Sequence, residues 1–102
     1  MKLGRVVGTV VATRKSTKLQ GTKLLVVEEC DITGKPKGSF VVAADTVGAG
    51  AGDVVLLVAG SSARLAYPKE GTPIDAAISA IIDAVDYGGQ VLHPNAWRPG
   101  EG

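Results

Sequence analysis

Residues Leu3 to Thr13 read LGRVVGTVVAT, a run dominated by β-branched valine and threonine in which Gly4 and Gly8 work against a helix. The stretch predicts a long, bent first strand, with the glycines admitting a twist or a bulge along it. Outward from it the same pattern repeats. The polar RKSTKLQGT (Arg14–Thr22) is a loop, and KLLVVEEC (Lys23–Cys30) is a second strand that ends before the turn Asp31-Ile-Thr-Gly34. After KPKG, the segment SFVVAAD (Ser39–Asp45) gives a third strand. After VGAGAG, the segment DVVLLVAG (Asp53–Gly60) gives a fourth, apolar on both faces. A fifth, shorter strand is expected from Ala63 to Tyr67.

One segment has a helical period. Ile74, Ala77, Ile78, Ile81, Ile82 and Val85 fall at i, i+3, i+4, i+7, i+8 and i+11, which predicts a C-terminal amphipathic helix. Thr72 suits its N-cap, Pro73 its first position, Asp75 the acidic place of a capping box, and Gly88 or Gly89 its end. The following HPNAWRPGEG is too rich in Pro and Gly for regular structure, although Val91 and Leu92 can add a short edge strand. The chain therefore divides into one domain over residues 1–90 and a tail over 91–102.

The chain has 102 residues, enough for one small core. Its mean hydropathy is positive while aromatics make up only 4%, so small aliphatic side chains fill that core and the surplus apolar surface points to subunit contacts. No apolar stretch approaches the roughly 20 residues that cross a bilayer. Lys2 and Arg5 precede no apolar leader segment, and the lone Cys30 excludes an intrachain disulfide framework, so a reducing cytoplasm is the expected location. Net charge is +1, but residues 1–37 hold eight Lys or Arg against three acids and residues 38–102 hold three against seven. That split sets a basic surface against an acidic one on a neighbouring subunit, or is simply a solvated face; the second accounts for it equally well.

Catalytic chemistry is hard to assemble. His93 and Cys30 are single copies, so neither a thiol and imidazole metal cluster nor a nucleophile and base pair can be read, and Asp83 and Asp86 fit a wet face better than an acid/base couple. No cofactor or metal is expected. The run Gly48-Ala-Gly50-Ala-Gly52 lacks the third glycine of a dinucleotide fingerprint, where Asp53 stands, and a strand rather than a helix follows it.

Five short strands and one helix suggest a small barrel of the oligonucleotide-binding type. Single-strand binding, however, uses aromatic platforms along a basic groove, and the only aromatic residue in the first four strands is Phe40. The motifs G-x-V-V-G-T-V-V-A-T at Gly4–Thr13, Lys15, Leu19, Gly21, KLLVV at Lys23–Val27, ADTVGAG at Ala44–Gly50, Gly52, VVLLV at Val54–Val58, GSSAR at Gly60–Arg64, and P-I-D-A-A-I at Pro73–Ile78 with I-I-D at Ile81–Asp83 resemble the EutN/CcmL family of bacterial microcompartment vertex proteins. The likeness spans about residues 3 to 86. Asp53 stands where that family commonly has Glu, and the tail from His93 lies outside the likeness.

The resemblance implies a mainly β, small closed five-stranded OB-like barrel assembled as a homopentamer at the vertices of a carboxysome or metabolosome shell, beside hexameric shell proteins, with no catalysis and no nucleic-acid or membrane partner. Within such a ring Gly48, Ala49, Gly50, Gly52 and Arg64 are subunit-interface candidates, while Ser61 and Ser62 either line a central pore or form a strand-end turn. The alternatives are a monomeric OB-like ligand or nucleic-acid binding module and a hexamer-forming shell protein; solution mass separates both from a pentamer.

Overall fold

The first predicted strand is observed as β1, Lys2–Thr9, in a computed structural model that describes residues 1–66 and 74–100. It pairs antiparallel with β2 (Leu24–Cys30), and the register slips between Val6 and Gly8, the bulge that the glycine-spaced sequence admits. β2 pairs with β3 (Pro36–Asp45), β4 (Val54–Ala59) pairs back on β1, and β5 (Ala76–Ile81) lies between β3 and β4. The order β1-β2-β3-β5-β4 closes on itself as a five-stranded barrel, with β3 and β5 parallel and all other neighbours antiparallel.

Two elements differ from expectation, and they trade places. The predicted fifth strand at Ala63–Tyr67 is instead the short helix α1, Ser61–Ala66, and Tyr67 lies outside the described residues. The predicted helix is the strand β5 followed by the first arm of a hairpin. The cause is burial on both faces. Ala76 and Ile78 point into the barrel with Val6, Leu25, Val27 and Leu57, while Ala77 joins Ala44, Val58 and Ile74 beneath Ala63 of α1. A strand covered on both sides reads as a continuous apolar run, and alanines and isoleucines in such a run match a 3.6-residue period by coincidence. Of the predicted cap, Thr72 and Pro73 fall outside the described residues. Asp75 is exposed, and its carbonyl accepts from the Gly60 amide at 2.8 Å instead of starting a helix.

Inside the barrel Val27, Ala43, Val55 and Ile78 are fully buried. Each fully buried Val or Ile contributes about 1.5–3 kcal/mol. Space is so tight that a Cβ on Gly4 would collide with Val27 Cγ1 and stand 3.0 Å from the Glu28 carbonyl oxygen. This strand therefore needs a glycine where it crosses the core.

Beyond the barrel, β6 (Val85–Tyr87) and β7 (Gln90–Leu92) form a separate two-stranded sheet, so the expected domain limit at residue 90 falls inside β7. Gly88 and Gly89, read from sequence as a helix end, are its two-residue turn. Their φ values of 61° and 77° are the pair of positive angles that a tight hairpin demands.

Candidate subunit interface

The glycine loop between β3 and β4 is built by its neighbours. Asp53 Oδ2 accepts the Gly50 amide at 2.8 Å, the Asp53 amide donates to the Gly50 carbonyl at 3.1 Å, and Lys23 Nζ donates to the Ala49 carbonyl at 3.2 Å while lying 3.7 Å from Asp45. Gly48 and Gly52 take positive φ with open space where a side chain would stand. Gly50 does not take positive φ; its nearest obstacle is Asp53 Oδ2 at 3.9 Å. Among the interface candidates, Ala49 proves to be a core residue, 1% exposed and packed with Val6 and Val55, because the loop folds its one inward methyl into the barrel end. Gly48, Gly50 and Gly52 are exposed.

Ser61 and Ser62 are exposed at the start of α1, so neither sits in a strand-end turn. Arg64 belongs to α1 as well, and its side chain lies outside what is described. Cys30 is buried at the end of β2, and burial pushes its thiol above the ordinary value against the opposing pull of Arg5. His93 Nδ1 lies 3.4 Å from the Asp83 carbonyl oxygen, far along the chain from Cys30. Asp83 and Asp86 are exposed, the latter on β6 rather than a helix.

From sequence, packing or tail docking is the simpler use of Trp97, but the residues that receive the tail could not be named. Arg5 donates to the Gly34 carbonyl at 3.1 Å and to the Pro94 carbonyl at 2.7 Å, and its guanidinium stands 5.8 Å from the centre of the Trp97 ring. Pro94 is fully buried and opens a single 3-10 turn, Pro94–Ala96. Gly34 ends the Asp31 turn, its amide donating to the Asp31 carbonyl at 2.9 Å, and it leaves no room for a side chain beneath Pro94 and Trp97. The sequence offered one signal, a lone tryptophan in a Pro-rich tail. Its partners are far away in the chain, so spacing could not name them.

A sequence model described as ethanolamine utilisation protein EutN/carboxysome, the EutN_CcmL family, matches residues 1–83. The chain belongs to the EutN/CcmL family. It is 48% identical over 92 residues to the microcompartment shell vertex protein EutN of Escherichia coli (strain K12), covering 90% of this chain and 97% of that protein. The solved CcmL of Gloeobacter violaceus superposes with a TM-score of 0.85 at 41% identity, covering 91% of this chain and 96% of that one. The pentameric microcompartment shell protein GrpN of Rhodospirillum rubrum superposes at 0.75 with 48% identity, covering 85% and 98%.

In this EutN/CcmL chain the family model ends at Asp83, ahead of the hairpin, whereas the 92-residue match to EutN runs on past that point. A EutN/CcmL chain is a structural shell component, not an enzyme. Two mainly apolar hollows beside β3, of about 280 and 150 Å³, have Phe40, Val42, Leu57, Ile74 and Ala76 among their lining residues.

Proposed function

We propose that five copies of this chain close into a ring that caps the vertices of a bacterial microcompartment shell, where hexameric shell proteins surround it. The observation that carries this reading is the 48% identity and TM-score of 0.75 to a protein described as a pentameric microcompartment shell protein, over nearly all of its length. A ring requires one patch of each subunit to meet a different patch on the next. The chain has apolar surface available for such contacts: Phe40 is 63% exposed, Tyr87 65% and Val91 58%. In the ring, the open glycines Gly48, Gly50 and Gly52 let backbones approach, Arg64 stays an interface candidate by its place in α1, and the exposed hydroxyls of Ser61 and Ser62 face the central opening. The proposal includes no nucleic-acid or membrane partner. The net charge is close to zero, and no helix among the described residues is long and apolar enough to cross a bilayer. Native mass spectrometry tests the proposal: a five-chain species is expected, and a protein that stays monomeric at high micromolar concentration overturns it.

A further inference from the structure

Two segments of the chain carry exposed side chains of opposite charge that pair with nothing among the described residues. Residues 10–22, between β1 and β2, hold Arg14, Lys15 and Lys18 and no acid, a net +3; residues 82–92, with the hairpin, hold Asp83 and Asp86 and no Lys or Arg, a net −2. All five charged residues are exposed. None of their side chains makes an ion pair or a hydrogen bond among the described residues; the ion pairs there are Lys2–Glu29 and Lys23–Asp45. Each segment also presents apolar surface, Val11 at 89% exposure on one, Tyr87 and Val91 on the other. The hairpin adds a stability argument. A two-stranded sheet is marginal in water by itself, and β6 and β7 hydrogen-bond to no strand of the barrel.

We infer that the acidic hairpin of one subunit docks on the basic β1–β2 loop of the next, supplying the two unlike halves of a head-to-tail contact around the ring. The occupant is a second copy of this chain because both halves lie on the same chain, which is what a closing heterologous interface requires. Complementary charge sets the register of the two segments, Tyr87 and Val91 lose water against the Val11 side, and the hairpin gains the third layer it lacks alone. The inference rests on the pentamer reading and adds which surfaces meet.

Charge reversal in blocks tests it on the full chain. Asp83→Arg with Asp86→Arg should shift the native mass distribution from five chains toward one, and Arg14→Asp with Lys15→Asp should do the same. The four changes together should restore the five-chain species, an outcome that general damage to either segment cannot produce. Because exposed charges are screened, the parent ring should also dissociate more readily in high salt. Circular dichroism melts check that each barrel stays folded. A parent that is monomeric overturns the vertex reading and this contact with it. A pentameric parent whose two block variants both remain pentameric, or whose combined variant fails to recover, overturns the contact alone. A loop reversal that spares the ring and abolishes only the binding of a separate acidic shell protein likewise overturns the contact and leaves the pentamer standing.

Discussion

Replacing Gly34 with alanine should lift the C-terminal tail from the barrel while the barrel stays folded. Gly34 has φ +93°, which an L side chain adopts only with strain, and a Cβ there would run into the Pro94 carbonyl oxygen, 2.8 Å from its carbon and 2.9 Å from Trp97 Cβ. None of these atoms is the end of a flexible side chain, so the tail has to give way. The strained φ costs about 1–3 kcal/mol, and overpacking adds about 1–3 kcal/mol if the tail stays in place. On the other side stand two Arg5 hydrogen bonds, each about 1.5 kcal/mol at a half-buried site, and the Arg5–Trp97 stacking at about 0.5–1 kcal/mol. Burial of Pro94 adds to these. Against them runs the ordering of the tail backbone at about 1–2 kcal/mol per residue. The hold on the tail is therefore small beside the penalty. Trp97 is the only tryptophan, so its emission reports on the tail alone. A red shift and easier acrylamide quenching are expected, with the strand signal in circular dichroism retained. Emission, quenching and Tm all equal to the parent's would refute the docking geometry.

Ile78 lies fully buried on β5 between β3 and β4, so Ile78→Asp should cost about 3–5 kcal/mol or more, read as a lower urea midpoint; a variant that melts with the parent would place Ile78 outside the core. The Asp31 carboxylate is held below its ordinary value by the Thr33 hydroxyl at 2.6 Å and by the amides of Thr33 and Lys35. A lowered folded-state value contributes stability above the ordinary aspartate range, and that contribution is lost as pH falls through the lower folded value. Asp31→Asn should therefore be less stable than the parent at pH 7 and converge with it in acid, measured by urea midpoints across pH. Glu29, lowered first by its hydrogen bond from Ser39 at 2.7 Å and then by Lys2, should behave in the same sense.

Local chemistry alone placed the Asp31–Gly34 turn and β1 to β4, although β1 stops at Thr9 rather than Thr13 and β3 starts at Pro36 rather than Ser39, and it admitted a bulge at Gly4 or Gly8. Each rests on nearest neighbours: β-branched runs, a polar loop, or a glycine where the backbone must bend or approach. The ordered motifs from Gly4 to Asp83 carried the family. Long-range packing decided what lay between and after. Whether Ala76–Ile81 is strand or helix depends on the edges left open by β3 and β4 and on the cover given by Ala63, none of which is encoded within those six residues. The same holds for Ser61–Ala66, a segment short enough to take either form, which coils because its one buried methyl fits over Ala44 and Ala77. Ala49 looked like the rest of its glycine-rich loop until the fold turned its methyl inward. The tail was legible only as irregular, since its anchor, Arg5 over Trp97 with Gly34 beneath, joins residues that sequence separation keeps apart and only a closed barrel brings together.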